Sequence, residues 1–169
     1  MTIRAVVLAA AAALLAGCPA YFVSEYDATT DRGVTALQGS IERHLGQLET
    51  LAREPPGLES LVEACKPDRF DDAYREMLSD LRSLIVRNEA REKNDLTVQQ
   101  LKGLQESLAT LQQLQRERYE PTDPERVITK PGDRCMGSGQ IEATRQILEQ
   151  HFRAILKLEL AKRDFRKEE

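Results

Sequence analysis

Residues 34 to 51 read VTALQGSIERHLGQLETL, and within them Val34, Leu37, Ile41, His44, Leu48 and Leu51 recur at intervals of three, four, three, four and three. An α-helix turns once in about 3.6 residues, so these six side chains share one face. The pattern predicts a helix with one inward stripe and a charged outer side. Pro55-Pro56-Gly57 ends it, because proline supplies no backbone donor to the next turn.

Working outward, the same intervals return three times. Phe70, Tyr74, Met77, Leu81, Leu84 and Asn88 form a second stripe, with Asp68 after Pro67 as its expected N-cap. Ser60-x-x-Glu63 is expected to cap a short turn leading to Cys65. Asn94-Asp95 breaks the second pattern. Thr97-x-x-Gln100 reads as a capping box for a third helix with Leu101, Leu104, Leu108 and Leu111 inside and Leu114 trailing. Pro121 and Pro124 end that helix. Ser138 is the expected cap of a fourth helix, which turns Ile141, Leu148, His151, Ile155 and Leu158 inward, with Phe152 alongside. The fold expected is all-α: an antiparallel up-down four-helix bundle. Asn88, polar at an inward position, is expected to set register. The glutamines of the third helix, Gln99, Gln100, Gln105, Gln112, Gln113 and Gln115, are expected on a solvated face.

The chain upstream has a different character. Arg4 precedes an apolar run from Ala5 to Ala16. The run is shorter than the roughly 20 residues needed to span a bilayer, and it has the layout of an export signal. It closes on Leu15-Ala16-Gly17-Cys18, which looks like the lipobox of bacterial lipoproteins. On this reading residues 1–17 are a signal peptide and residues 18–30 are a lipidated cysteine and tether. Residues 31–169 form the helical domain. Acyl chains on Cys18 supply membrane affinity at about 0.8 kcal/mol per buried methylene. Pro19, where aspartate would retain an enteric lipoprotein in the inner membrane, favours the outer membrane.

Spending Cys18 on lipid leaves Cys65 and Cys135, and an even pair in an exported protein reads as a disulfide. In the up-down topology the second and fourth helices begin at the same end, so these two cysteines, each just ahead of one of them, are expected to meet. The stretch from Pro121 to Gly139 between the third and fourth helices is longer than an ordinary connection, as functional loops often are.

Several function classes are disfavoured. The formal charge of −4 becomes −5 once Arg4 is removed with the signal, the wrong sign for neutralising phosphates of a nucleic acid. No Ser-His-Asp ordering, phosphate-cradling glycine loop or dinucleotide fingerprint occurs, and Gly137-Ser138-Gly139 follows nothing strand-like. No enzyme activity and no cofactor are expected. His44 and His151 both fall on inward faces and are the candidate ligands if the bundle interior binds a metal or haem. Glu-x-x-His is missing, however, and two imidazoles alone make a poor site. Lys157, Lys162, Arg163, Arg166 and Lys167 form the one basic run. It suits the negative end of a helix dipole, and it is also a candidate contact with anionic headgroups.

Tyr26-Asp27-Ala28-Thr29-Thr30-Asp31-Arg32-Gly33-Val34-Thr35-Ala36-Leu37-Gln38, Asn94-Asp95-Leu96-Thr97 with Leu101 and Leu104, and Phe152 to Lys162 together resemble a group of small proteobacterial lipoproteins with helical mature domains. The resemblance implies an envelope location and nothing catalytic. It also makes the polar residues of Tyr26–Gln38 a candidate contact surface, against their simpler role in capping the first helix through Thr30 or Asp31. The expected function is a non-catalytic, lipid-anchored interaction module that faces the periplasm and meets another envelope protein. The alternative is a periplasmic ligand or metal binder using His44 and His151.

Overall fold

A computed structural model describes residues 24–53, 58–120 and 131–165. They form five α-helices and no strand: α1 (Ala28–Arg53), α2 (Leu58–Ala64), α3 (Asp71–Glu89), α4 (Asp95–Tyr119) and α5 (Ser138–Phe165). Short 3-10 turns at Pro67–Arg69 and Pro131–Arg134 precede α3 and α5. Of the four long helices, α1 packs against α3 and α5, and α4 packs against the same two. No described helix is long and apolar enough to cross a membrane.

The interval pattern explains what is inside. Val34, Leu37, Ile41 and Leu48 of α1 are buried, as are Tyr74, Met77, Leu81 and Leu84 of α3. Leu101, Leu104, Leu108 and Leu111 of α4 are fully enclosed, and Ile141, Leu148, Phe152 and Ile155 of α5 complete the core. Leu51, His151 and Leu158 are half-buried at its margin.

The helix starts differ from expectation in an instructive way. Asp27, not Thr30 or Asp31, caps α1: its Oδ1 accepts from the Thr29 N–H at 3.1 Å, and its carbonyl accepts from the Asp31 N–H at 3.0 Å. Residues 24–30 are therefore not a tether, since Ala28–Thr30 are helical and the Ser24 N–H donates to the Lys93 carbonyl at 3.0 Å. Asp68 lies in the 3-10 turn, and α3 starts after Phe70, which makes no side-chain cap. Ser60 is the third residue of α2. α4 starts two residues ahead of Thr97, which is buried as an interior residue of the helix. Gly137 rather than Ser138 offers the first carbonyl of α5, accepting from Ile141 at 3.1 Å, while its own N–H donates to Gln140 Oε1 at 3.2 Å. Thr30 and Thr97 instead find partners across the fold, in Asn88 and in Glu159 and Lys162.

The Cys65–Cys135 disulfide is formed, with the two Cα atoms 5.4 Å apart. It lies just ahead of α3 and α5, and with Leu61 and Tyr119 it makes a small second core. Closing a loop of 70 residues removes chain entropy worth on the order of 4 kcal/mol. Gln115, expected on a solvated face, is buried and accepts from the Tyr74 hydroxyl at 2.8 Å.

Candidate functional site

At the end opposite the disulfide, the apolar stripes turn polar without losing register. Counting back from Val34 by four and then three gives Thr30 and Asp27. Counting on from Leu84 gives Asn88 and Arg91. Counting back from Leu101 gives Thr97 and Asn94, and counting on from Ile155 gives Glu159 and Lys162. These eight residues meet, joined by Ser24 and Arg87, and all but Arg87 and Arg91 are buried.

Lys162 and Asn94 form the hub. Lys162 Nζ has three protons to donate and places them on Asn94 Oδ1 at 2.6 Å, Thr97 Oγ1 at 2.9 Å and Glu159 Oε1 at 2.5 Å. Asn94 Oδ1 also accepts from Ser24 Oγ at 2.7 Å, and Asn94 Nδ2 donates to Asn88 Oδ1 at 2.6 Å. Asn88 Nδ2 donates in turn to Thr30 Oγ1 at 3.0 Å, and Thr30 donates to Asp27 Oδ2 at 2.8 Å. Glu159 accepts from Thr97 Oγ1 at 3.1 Å through one oxygen and from the Asp27 N–H at 3.4 Å through the other. Asp27 receives Arg87 in a two-point grip, Nε at 2.6 Å and Nη2 at 3.0 Å. That guanidinium, helped by Thr30 and the Thr29 N–H, holds the Asp27 carboxyl far below the usual carboxylate range against the opposing effect of burial. A planar fork against a carboxylate is the strong form of such a pair.

The cluster ties all four long helices and the segment before α1 into one network. The Lys162–Glu159 pair is only 3% and 1% exposed, so each charge depends on the other. What this arrangement does is hold Ser24–Asp27 against the helices. Asp27 and Thr30, offered by the sequence as part of a contact surface, face inward and are not available to a partner.

The remaining candidate residues fall elsewhere. Lys162 is buried, which removes it from any membrane-contacting basic run; Lys157 is exposed and Arg163 lies beside Asp164 at 3.8 Å. Arg166 and Lys167 lie outside the described residues, as do Cys18, the signal segment and residues 121–130. His44 is buried between Phe70 and Tyr74, with ring centroids at 5.5 and 4.6 Å in edge-to-face geometry. Neither of its ring nitrogens has a hydrogen-bond partner, and burial pushes its pKa down to about 4. His151 is half-buried against α4, with Nε2 3.2 Å from Ser107 Oγ. The two histidines thus have separate surroundings, and no group of three metal-ligating side chains occurs among the described residues.

Sequence reasoning placed Asn88 and missed the rest of the cluster. The signal was there in the continued three-and-four spacing, but charged residues at inward positions read as the end of a stripe. No family model, curated protein or solved structure matches the chain.

Proposed function

We propose that this protein is a lipid-anchored bacterial envelope protein whose long helices form an up-down four-helix bundle and present its disulfide end to another envelope protein, without catalysis. The observation that carries the reading is the position, relative to Cys18, of the buried polar cluster, which acts as a clasp on Ser24–Asp27. Ser24, held by Asn94 and Lys93, is only six residues beyond that cysteine. Six residues reach at most about 20 Å, so a lipid on Cys18 keeps the clasp end next to the membrane. The tether expected from the sequence shrinks to residues 19–23, too short to let the bundle tip over freely.

The opposite end then projects outward. α1 has 26 residues and is about 39 Å long, which sets the distance between clasp and disulfide ends. A rigid post with a cross-linked tip suits a protein that positions or meets a partner at a fixed height. The apolar run that closes on the lipobox-like Leu15-Ala16-Gly17-Cys18, with a signal expected to end at Gly17, and the arrangement in which α1 and α4 start at the clasp end while α3 and α5 finish there, support the same reading.

The test is site-specific photo-crosslinking in cells. Crosslinkers at Arg69 and Glu120, near the disulfide end, are expected to trap one partner, whereas a crosslinker at Glu92, near the clasp, traps none or a different one. Absence of any reproducible adduct from the distal positions argues against the interaction role.

A further inference from the structure

A groove of about 700 Å³ runs along α3 at the clasp end, lined by Arg82, Ser83, Val86, Arg87, Ala90 and Arg91. Val86 is 59% exposed there, an isolated large apolar side chain among three guanidinium groups. Arg87 commits Nε and Nη2 to Asp27. Arg91 donates from one Nη to the Glu25 carbonyl at 2.7 Å, and its Nε is buried with no acceptor. Arg82 enters no ion pair among the described residues. Arg91 is taken up by Glu25 and by Asp27 Oδ2 at 4.0 Å, so the donors left facing the groove are those of Arg82 and Nη1 of Arg87, beside Val86 and Ala90. Ser24, where the chain from Cys18 arrives, is bonded to Lys93, two residues beyond Arg91.

We infer that this groove receives the anionic phospholipid headgroups of the membrane that carries the anchor. Phosphate oxygens satisfy Arg82 and the outward Nη1 of Arg87, since charge-assisted bonds to phosphate are the strong use of a guanidinium. Val86 meets the boundary between headgroup and acyl chain, where an apolar side chain is favoured. The inference rests on the proposed orientation, with the clasp end against the bilayer. It moves the membrane-facing cations from the end of α5 to the last turns of α3.

Vesicle flotation tests it, using the complete mature chain from residue 18 with Cys18→Ser so that no acyl chain contributes. The protein is expected to float with phosphatidylcholine vesicles containing phosphatidylglycerol, to stay behind with phosphatidylcholine alone, and to be released by high salt. Each unit of positive charge near an anionic surface contributes about five-fold, so Arg82→Gln weakens binding about five-fold and the charge reversal Arg82→Glu about 25-fold. Arg82 lies on the exposed side of α3, so its variant keeps the fold, as circular dichroism and melting will show. Equal flotation with both vesicle types, no flotation at all, or unchanged affinity in Arg82→Glu overturns the proposal. So does a dimer that Arg82→Gln dissociates, because a second copy then occupies the groove. Failure of the anchor itself is read separately, from the mass of the native protein's Cys18 peptide.

Discussion

Lys162 Nζ, in the last turns of α5, donates a 2.6 Å hydrogen bond to Oδ1 of Asn94, the residue that precedes α4, across 68 residues of chain. Neither residue is where a surface helix ordinarily puts its type: Lys162 is 6% exposed and Asn94 2%. The bond makes the start of one helix and the end of another depend on the same proton donor. Glu159, fully enclosed beside them, depends on it as well.

Lys162→Met therefore leaves a buried carboxylate without its cation, and the expected loss of stability is about 3–5 kcal/mol. Glu159→Leu combined with Lys162→Met removes both charges and is expected to cost far less than the sum of the two single changes. Urea denaturation of the four proteins gives the coupling. Additive losses mean that the pair is not buried as described.

Much of this was legible from residues and some was not, for one physical reason. The stripes Val34 to Leu48, Tyr74 to Leu84 and Leu101 to Leu111 were readable because apolar burial is periodic and local. The pairing of Cys65 with Cys135, which the structure forms, was the expectation for an even cysteine pair in an exported up-down bundle. Asp27 read as part of a tether or contact surface, Thr97 as a cap and Lys162 as a dipole-facing or membrane-facing cation, while Glu159 drew no reading, because a polar residue near a helix end has two fates that sequence spacing alone does not separate. Which fate it meets depends on residues 60 or more positions away, as Asp27 with Arg87 and Thr97 with Glu159 illustrate.

His44 makes stability fall in mild acid. Burial lowers its pKa from the ordinary 6.5 to about 4. Between these values the unfolded chain takes up a proton that the folded chain refuses, so its contribution, intact above about pH 6.5, is lost as pH falls toward about 4. The full effect is on the order of 3 kcal/mol. The Asp27 carboxyl, held low by Arg87, loses its contribution only at more acidic pH, below the ordinary carboxylate range. His44→Phe keeps a ring between Phe70 and Tyr74 and is expected to flatten the stability profile from pH 6.5 to 4. An unchanged slope in that variant rules His44 out as the cause.

Two helical glycines separate packing from propensity. A Cβ on Gly46 meets nothing within 4 Å, so Gly46→Ala is expected to stabilise α1 by roughly 0.5–1 kcal/mol. A Cβ on Gly33 falls 2.7 Å from Leu84 Cδ2, which must move within the core. Gly33→Ala is expected to forfeit the gain and end at or below wild-type stability. If thermal melting shows both variants stabilised alike, the approach of α1 to α3 at Gly33 is looser than described.

Cys65 and Cys135 join the start of α3 to the start of α5, and their bond acts chiefly on the unfolded chain. The Cys65→Ala, Cys135→Ala double variant should keep its helical circular dichroism and lose up to about 4 kcal/mol. A loss below 1 kcal/mol would indicate that the reduced unfolded chain is already compact around this region.

Cys18→Ala separates the anchor from the fold. Cys18 precedes every described helix, so the domain should keep its circular dichroism and melting temperature. On the proposed lipoprotein reading membrane attachment should change completely, because acyl chains on Cys18 would supply the affinity and no described helix is long and apolar enough to cross a bilayer. Cell fractionation is expected to find the variant soluble, or as uncleaved precursor held by its own apolar segment. A cleaved variant that still pellets with membranes after a high-salt wash would overturn the lipoprotein reading. One that pellets only at low ionic strength would retain an electrostatic contact. The α3 groove then makes a further demand, since Arg82→Gln added to Cys18→Ala must weaken that remainder, whereas Lys157→Gln, exposed on α5 and outside the groove, must leave more of it in place.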